Sequence, residues 1–184
     1  SEDLETQEIS FVKLQSRWAY ISPGRIPFET IQKLFEHFSK NKTLIAFNPS
    51  SFYLEMGLEK LRPLLQKTKV AILNREEGAY LTGINYVKEK EIFRKLDEVI
   101  DGIAIMTEAS KGVLVSDGKN IYSAGIFSAQ GGGKLVDRTG AGDAFGSGFI
   151  VGLIEKNNIE YAIRLGSANA TSVVENIGAK QGIL

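Results

Sequence analysis

Short apolar runs with no polar alternation, separated by longer stretches of helical spacing, constrain this chain more than any other feature. Trp18 to Ser22, Leu44-Ile45-Ala46-Phe47, Val70-Ala71-Ile72-Leu73 and Ile103-Ala104-Ile105-Met106 read as strands. A strand that is apolar on both faces must be covered on both, which is the condition of a parallel strand between two layers of helices. Between these runs, Pro27 to Lys40 predicts a helix with Ile31, Leu34, Phe35 and Phe38 at helical spacing. Leu54 to Gln66, Glu76 to Leu81 and Lys88 to Val99 predict further helical segments. The alternation points to an α/β fold, a mostly parallel sheet flanked by helices on both faces.

After Thr107 the rhythm changes. Gly112 to Ser116 and Asn120 to Ala124 flank a turn at Asp117-Gly118 and predict an added β-hairpin. The triplet Gly131-Gly132-Gly133 predicts a mobile loop before Leu135-Val136, and two helices follow, Ala141 to Lys156 and Ile159 to Asn176. No internal repeat or linker interrupts the chain, so residues 1-184 read as a single α/β domain.

Lys plus Arg and Asp plus Glu balance at 22 each, so no net field would draw in nucleic acid or an anionic membrane. Any anion site must be local. There are no cysteines, which removes disulfides, thiolate metal sites and a cysteine nucleophile. No apolar run reaches the roughly 20 residues that span a bilayer. Ser1 to Glu8 is polar and acidic, unlike a signal peptide. The expectation is a cytoplasmic protein.

Three of the strands run into a polar residue: Phe47 into Asn48, Leu73 into Asn74, Met106 into Thr107. In an open parallel sheet ligands bind beyond the carboxyl ends of the strands, so these side chains are candidates to line a site. The competing reading is that each caps the following loop or helix.

The most informative segment is Asp137-Arg138-Thr139-Gly140-Ala141-Gly142-Asp143-Ala144-Phe145-Gly146-Ser147-Gly148, a glycine-rich turn feeding a helix. Ala141, Phe145, Phe149 and Leu153 form an apolar stripe, and Ala144, Gly148 and Gly152 an adjacent small one. Each helical glycine costs about 1 kcal/mol against alanine, so close packing, expected against the sheet, must offset it. The N–H groups of Gly140, Ala141 and Gly142 begin the helix without intrahelical partners, and the dipole adds partial positive charge. That makes an anion site without Lys or Arg. Asp143, one step further, is poorly placed to bind phosphate but well placed to take a proton from an attacking hydroxyl. A P-loop would need Gly-Lys-Ser/Thr, which is absent here. A dinucleotide fingerprint would need a second βαβ half after it, whereas one helix remains. A purely structural glycine turn is the other reading.

The segment Asp-x-Thr-Gly-Ala-Gly-Asp opening a helix resembles the C-terminal signature of the ribokinase/PfkB family of carbohydrate kinases. Asn74-Arg75-Glu76-Glu77 resembles the family's Asn-x-x-Glu motif, and Thr107-Glu108-Ala109-Ser110-Lys111-Gly112 its Thr-x-Gly-x-x-Gly segment. Ala168-Asn169-Ala170 with Gly178-Ala179 looks like the segment that closes over the adenine. The likeness runs from about Trp18 onward.

What the resemblance implies is specific. Asp143 would be the base that activates a sugar hydroxyl, and Gly140, Ala141 and Gly142 the anion hole for the transferring phosphoryl group. Thr107, Ala109, Gly112 and Asn169 would contact ATP, and Asn74 and Glu77 would organise Mg²⁺ and phosphate. Asp137 and the Thr139 carbonyl would join a site for a monovalent cation such as K⁺, present in many members. Two residues depart from the pattern: Ala109 replaces the usual glycine, and Arg138 stands where a small or β-branched residue is usual, extending into solvent.

The resemblance further implies an N-terminal portion and a β lid that grip the sugar and are missing here, so the chain is expected to be a fragment. Its sheet edge would then favour self-association such as a homodimer. The alternatives are a non-catalytic nucleotide-binding or regulatory module and a dinucleotide-dependent oxidoreductase. His37, the only histidine, and Trp18 and Tyr20 read as structural, and Lys88 to Glu91 as a solvated helix face.

Overall fold

The computed structural model describes residues 9–108, 111–126, 137, 139–178 and 181–183. Six strands form one sheet in the order β1-β2-β3-β4-β5-β6: Trp18–Ile21, Leu44–Phe47, Val70–Asn74, Ile103–Glu108, Gly112–Ser116 and Ile121–Ala124. Helices flank it: α1 Phe28–Lys40, α2 Ser51–Leu54, α3 Leu58–Gln66, α4 Arg75–Thr82, α5 Glu89–Val99, α6 Ala141–Lys156 and α7 Ile159–Val174. The first three strands pair in parallel, with Trp18 beside Leu44 and Ala46 beside Val70. The chain packs as two compact units, Ser1–Met106 with Val115–Ile121, and Thr107–Leu114 with Tyr122–Leu184, so that β4, β5 and β6 are divided between them.

In the first unit, β2 and β3 are apolar on both faces, and Ile45, Ala46, Phe47, Val70, Ala71, Ile72 and Leu73 are all buried. Helix α1 buries Ile31, Leu34, Phe35 and Phe38, the stripe its spacing predicts. Phe35 meets Phe47 edge-on at 5.2 Å, and Phe47 meets Tyr53 at 6.3 Å and 90°. Such pairs add about 0.5–1.5 kcal/mol each beyond burial. The Tyr53 hydroxyl donates to the carbonyl of Ile26, and burial, followed by the charge of Glu29, pushes its pKa above the ordinary tyrosine value. His37 is half-buried; its Nε2 lies 3.0 Å from the Leu14 carbonyl and its ring packs edge-on against Phe11, a structural role as expected.

Two expectations change. The helix read as Leu54 to Gln66 is two helices, because the chain turns at Gly57, whose φ of +83° suits glycine. The second concerns the small residues of α6, which in this structure face α7. A Cβ on Gly148 would lie 3.0 Å from Gly166 Cα, one on Gly152 2.6 Å from Ala162 Cα, and one on Gly166 2.8 Å from the Phe145 carbonyl. Missing side chains on both helices let the two backbones approach, and the contacts so gained offset the helical cost of glycine.

Among the described residues no helix is long and apolar enough to cross a membrane.

Candidate nucleotide site

The second unit contains an open cleft of about 140 Å³. Its lining comes from five places: Thr107 in β4, Gly112 and Val113 in β5, Gly125 and Ile126 just after β6, and two helices. Helix α6 contributes Ala141, Gly142 and Phe145, and α7 contributes Ser167, Ala170 and Thr171. A cleft walled by apolar groups with a few hydroxyls has the character of a small-molecule site.

Local chemistry explains how these residues reach it. Gly112 has φ +96°, and a Cβ there would stand 2.0 Å from the Ala124 carbonyl oxygen, so only glycine lets β5 run against the end of β6. The turn of the hairpin places Gly118 at φ +79°, with the Asp117 N–H donating to the Asn120 carbonyl at 3.2 Å. Gly140 is the N-cap of α6 in the left-handed conformation, φ +82°, and no side chain caps the helix. Its carbonyl accepts from the Ala144 N–H at 2.8 Å, so the helical ladder starts there. The N–H groups of the first turn have no intrahelical acceptor. A Cβ on Gly142 would meet nothing within 4 Å, so the space over this turn is open. Together these observations fit a phosphate cradle: an uncapped helix start, room above it, and the dipole behind it.

Asp143 is exposed in the first turn of α6, one residue past Gly142. Asp137 precedes the turn. Its Oδ1 accepts from the Thr139 N–H at 2.9 Å and hydroxyl at 2.7 Å, and its Oδ2 from the Gly178 N–H at 3.1 Å. Three of a carboxylate's roughly four acceptor positions are therefore taken.

Thr107 and Gly112, the first and last residues of the threonine-glycine segment, both line the cleft beside Ala141 and Gly142. Thr107 sits within β4 instead of beyond its end. Asn169 is 3% exposed and does not line the cleft; its Nδ2 donates to the Ala144 carbonyl at 2.8 Å, tying α7 to α6. Ala109, Arg138 and the glycine triplet lie outside the described residues, as does Ala179.

In the first unit, Asn74 ends β3 and caps α4. Its side chain accepts from the Glu77 N–H at 2.9 Å, while Glu77 Oε2 accepts from the Asn74 N–H at 2.7 Å, a complete capping box. The second carboxylate oxygen of Glu77 is not part of the box. Glu77 also borders a separate hollow with Ser51, Leu54, Glu55, Glu76 and Tyr80. Asn48 follows β2, with its N–H donating to the Ile21 carbonyl at 3.0 Å. Between Asn74 and Glu77, Arg75 is buried, bonded to the Tyr86 carbonyl at 2.9 Å and to Glu89 at 3.0 Å, with the Tyr86 ring 4.4 Å away. Among the described residues no three His, Asp or Glu side chains converge on a metal position.

The sequence alone did not single out Val113, Ile126, Ser167 or Thr171 as cleft residues. Ser167 and Thr171 are four apart on α7, and a hydroxyl pair at that spacing beside the packing residues Gly166 and Asn169 was the available signal.

Comparison with known proteins places these features in context. The family model for pfkB family carbohydrate kinase matches residues 2–183. An uncharacterized sugar kinase of Archaeoglobus fulgidus is 32% identical over 139 residues, 76% of this chain and 53% of that protein. A cytidine kinase of Thermococcus kodakarensis is 30% identical over 169 residues, 90% of this chain and 58% of that protein. The crystal structure of a ribokinase from Thermotoga maritima superimposes with a TM-score of 0.80 at 25% identity, covering 98% of this chain and 58% of that one. The chain thus spans about half the length of the curated relatives it matches.

Proposed function

The chain belongs to the pfkB family of carbohydrate kinases, and from that premise we propose that it carries the nucleotide-binding and base-supplying part of an ATP-dependent kinase acting on a hydroxyl of a sugar or nucleoside. The observation that carries this reading is the uncapped, sterically open start of α6 at one end of an apolar-walled cleft, with a carboxylate at the next position.

Each part has a task. The base and ribose of ATP lie along Val113, Ile126 and Ala170, with the hydroxyls of Thr107, Ser167 and Thr171 in reach. The triphosphate runs toward Ala141 and Gly142, where backbone N–H groups receive the γ-phosphoryl oxygens. As the acceptor oxygen bonds to the γ-phosphorus and the bond to the bridging oxygen breaks, the hydroxyl proton passes to Asp143 and ADP departs. Charge on the equatorial oxygens grows in this step, and preorganised N–H donors aimed at it are worth about 3–4 kcal/mol each. Mg²⁺, when bound with the nucleotide, would supply charge neutralisation.

The test is Asp143→Asn in the protein that carries this chain, assayed for phosphoryl transfer from ATP to a panel of sugars and nucleosides. Loss of a general base lowers transfer by about 10²–10⁴-fold, with ATP affinity retained. Unchanged transfer removes Asp143 from this role. ATP binding by the parent with no transfer to any acceptor would make the chain a nucleotide-binding module instead.

A further inference from the structure

The cleft depends on two elements that differ in how they are held. Packing fixes the bodies of α6 and α7: Gly148, Gly152 and Gly166 bring the backbones together, and the buried Asn169 ties α7 to the Ala144 carbonyl. None of these contacts reaches the turn that opens α6 or the segment that follows α7. Among the described residues, Asp137 joins those two. Asp137 Oδ1 takes the N–H and hydroxyl of Thr139, directly before the N-cap Gly140. Asp137 Oδ2 takes the N–H of Gly178, four residues past the end of α7, and the Asp137 N–H donates to the carbonyl of Val174, the last residue of that helix. The last turn of α7 follows directly on Ala170 and Thr171, which wall the cleft.

We propose that Asp137 is a positioning residue whose two carboxylate oxygens divide the work, one shaping the turn that presents the backbone donors of α6 and the other holding the tail of α7 that fixes the far wall of the cleft. The inference rests on reading the cleft as the nucleotide site. It assigns Asp137 a task in ligand binding that involves no contact with the ligand and no bound cation.

The carboxylate is needed because acceptors are required on both of its oxygens. An amide offers one oxygen and one NH₂ group. In Asp137→Asn the oxygen goes to the side with two donors, Thr139, and the NH₂ group faces the Gly178 N–H, donor against donor. The tail is released while the turn is kept. Asp137→Ala releases both side-chain ties, while the backbone bond to the Val174 carbonyl remains in either variant. The helix packing and the Asn169 tie are untouched in either variant, so the fold persists.

The experiment is calorimetric titration of the parent chain and both variants with Mg·ATP and, separately, with Mg·tripolyphosphate, which engages the turn but has no base to meet the far wall. Thermal unfolding of each variant is followed in parallel. For Asp137→Asn, Mg·ATP is expected to bind about tenfold more weakly and tripolyphosphate less than about threefold more weakly, the loss of one hydrogen-bonded contact acting through position. For Asp137→Ala both probes are expected to weaken by about tenfold or more. Parent-like ATP affinity in both variants, or an equal loss of both probes in Asp137→Asn, would overturn the proposal while leaving the nucleotide reading intact. Failure of the folded parent to bind either probe would overturn the nucleotide reading and the proposal with it.

Discussion

Helices α4 and α6 both begin with a short acidic turn, yet their first N–H groups meet opposite fates. Helix α4 starts on Asn74, whose side chain takes the Glu77 N–H, while Glu77 reaches back to the Asn74 N–H. Its start is satisfied from within. Helix α6 starts on Gly140, which has no side chain to offer, and the position above Gly142 is open. No side chain of the helix caps its start. A cap of the Asn-Glu kind contributes roughly 1 kcal/mol of local stability. Its absence at α6 forgoes that stabilisation and, on the proposed function, keeps the donors for charge that appears only when a phosphoryl group arrives. A helix N-terminus is therefore informative about function when its sequence declines to cap it.

The contrast can be broken or sharpened by substitution. The largest effect belongs to Asp143→Asn, where the proposed role as general base predicts that transfer falls by about 10²–10⁴-fold. Next comes Gly140→Asn. Asparagine tolerates the left-handed conformation and supplies a side-chain acceptor, converting the start of α6 toward that of α4. Mg·ATP should then bind about tenfold more weakly while the thermal midpoint holds or rises, because the new cap competes with the ligand for the same N–H groups. Unchanged ATP affinity would mean those donors are not used. The smallest effect is Asn74→Ala, expected to cost about 1 kcal/mol in denaturant unfolding. A cost much above that would show that Asn74 does more than cap.

The two helix starts were not equally legible in the sequence. The start of α6 announced itself, because three glycines in seven residues have few structural uses, and its boundaries Ala141–Lys156 follow from that pattern and from the apolar stripe. The strands β2 and β3 and helix α1 were likewise carried by apolar periodicity. Local pattern failed where the deciding partner is distant in sequence. The glycines of α6 are explained by α7. Asn169 resembled a ligand contact, but it is a buried tie to a carbonyl 25 residues away. The break at Gly57 was hidden because apolar spacing continues across it from Leu54 to Leu65. The Gly178 N–H that Asp137 Oδ2 accepts lies 41 residues away in sequence, and only the fold brings it there.

The central claim is that the open turn at Gly140 to Gly142 receives the triphosphate of a nucleotide. Calorimetric titration of Mg·ATP into the folded chain and into Gly142→Val tests it most directly, with NADP as a control ligand. The substitution places a branched side chain where no atom now lies within 4 Å of a Cβ, so it fills ligand space without clashing with the protein. The account predicts saturable ATP binding by the parent, none by the variant, and no preference for NADP. Equal ATP binding by parent and variant would contradict it.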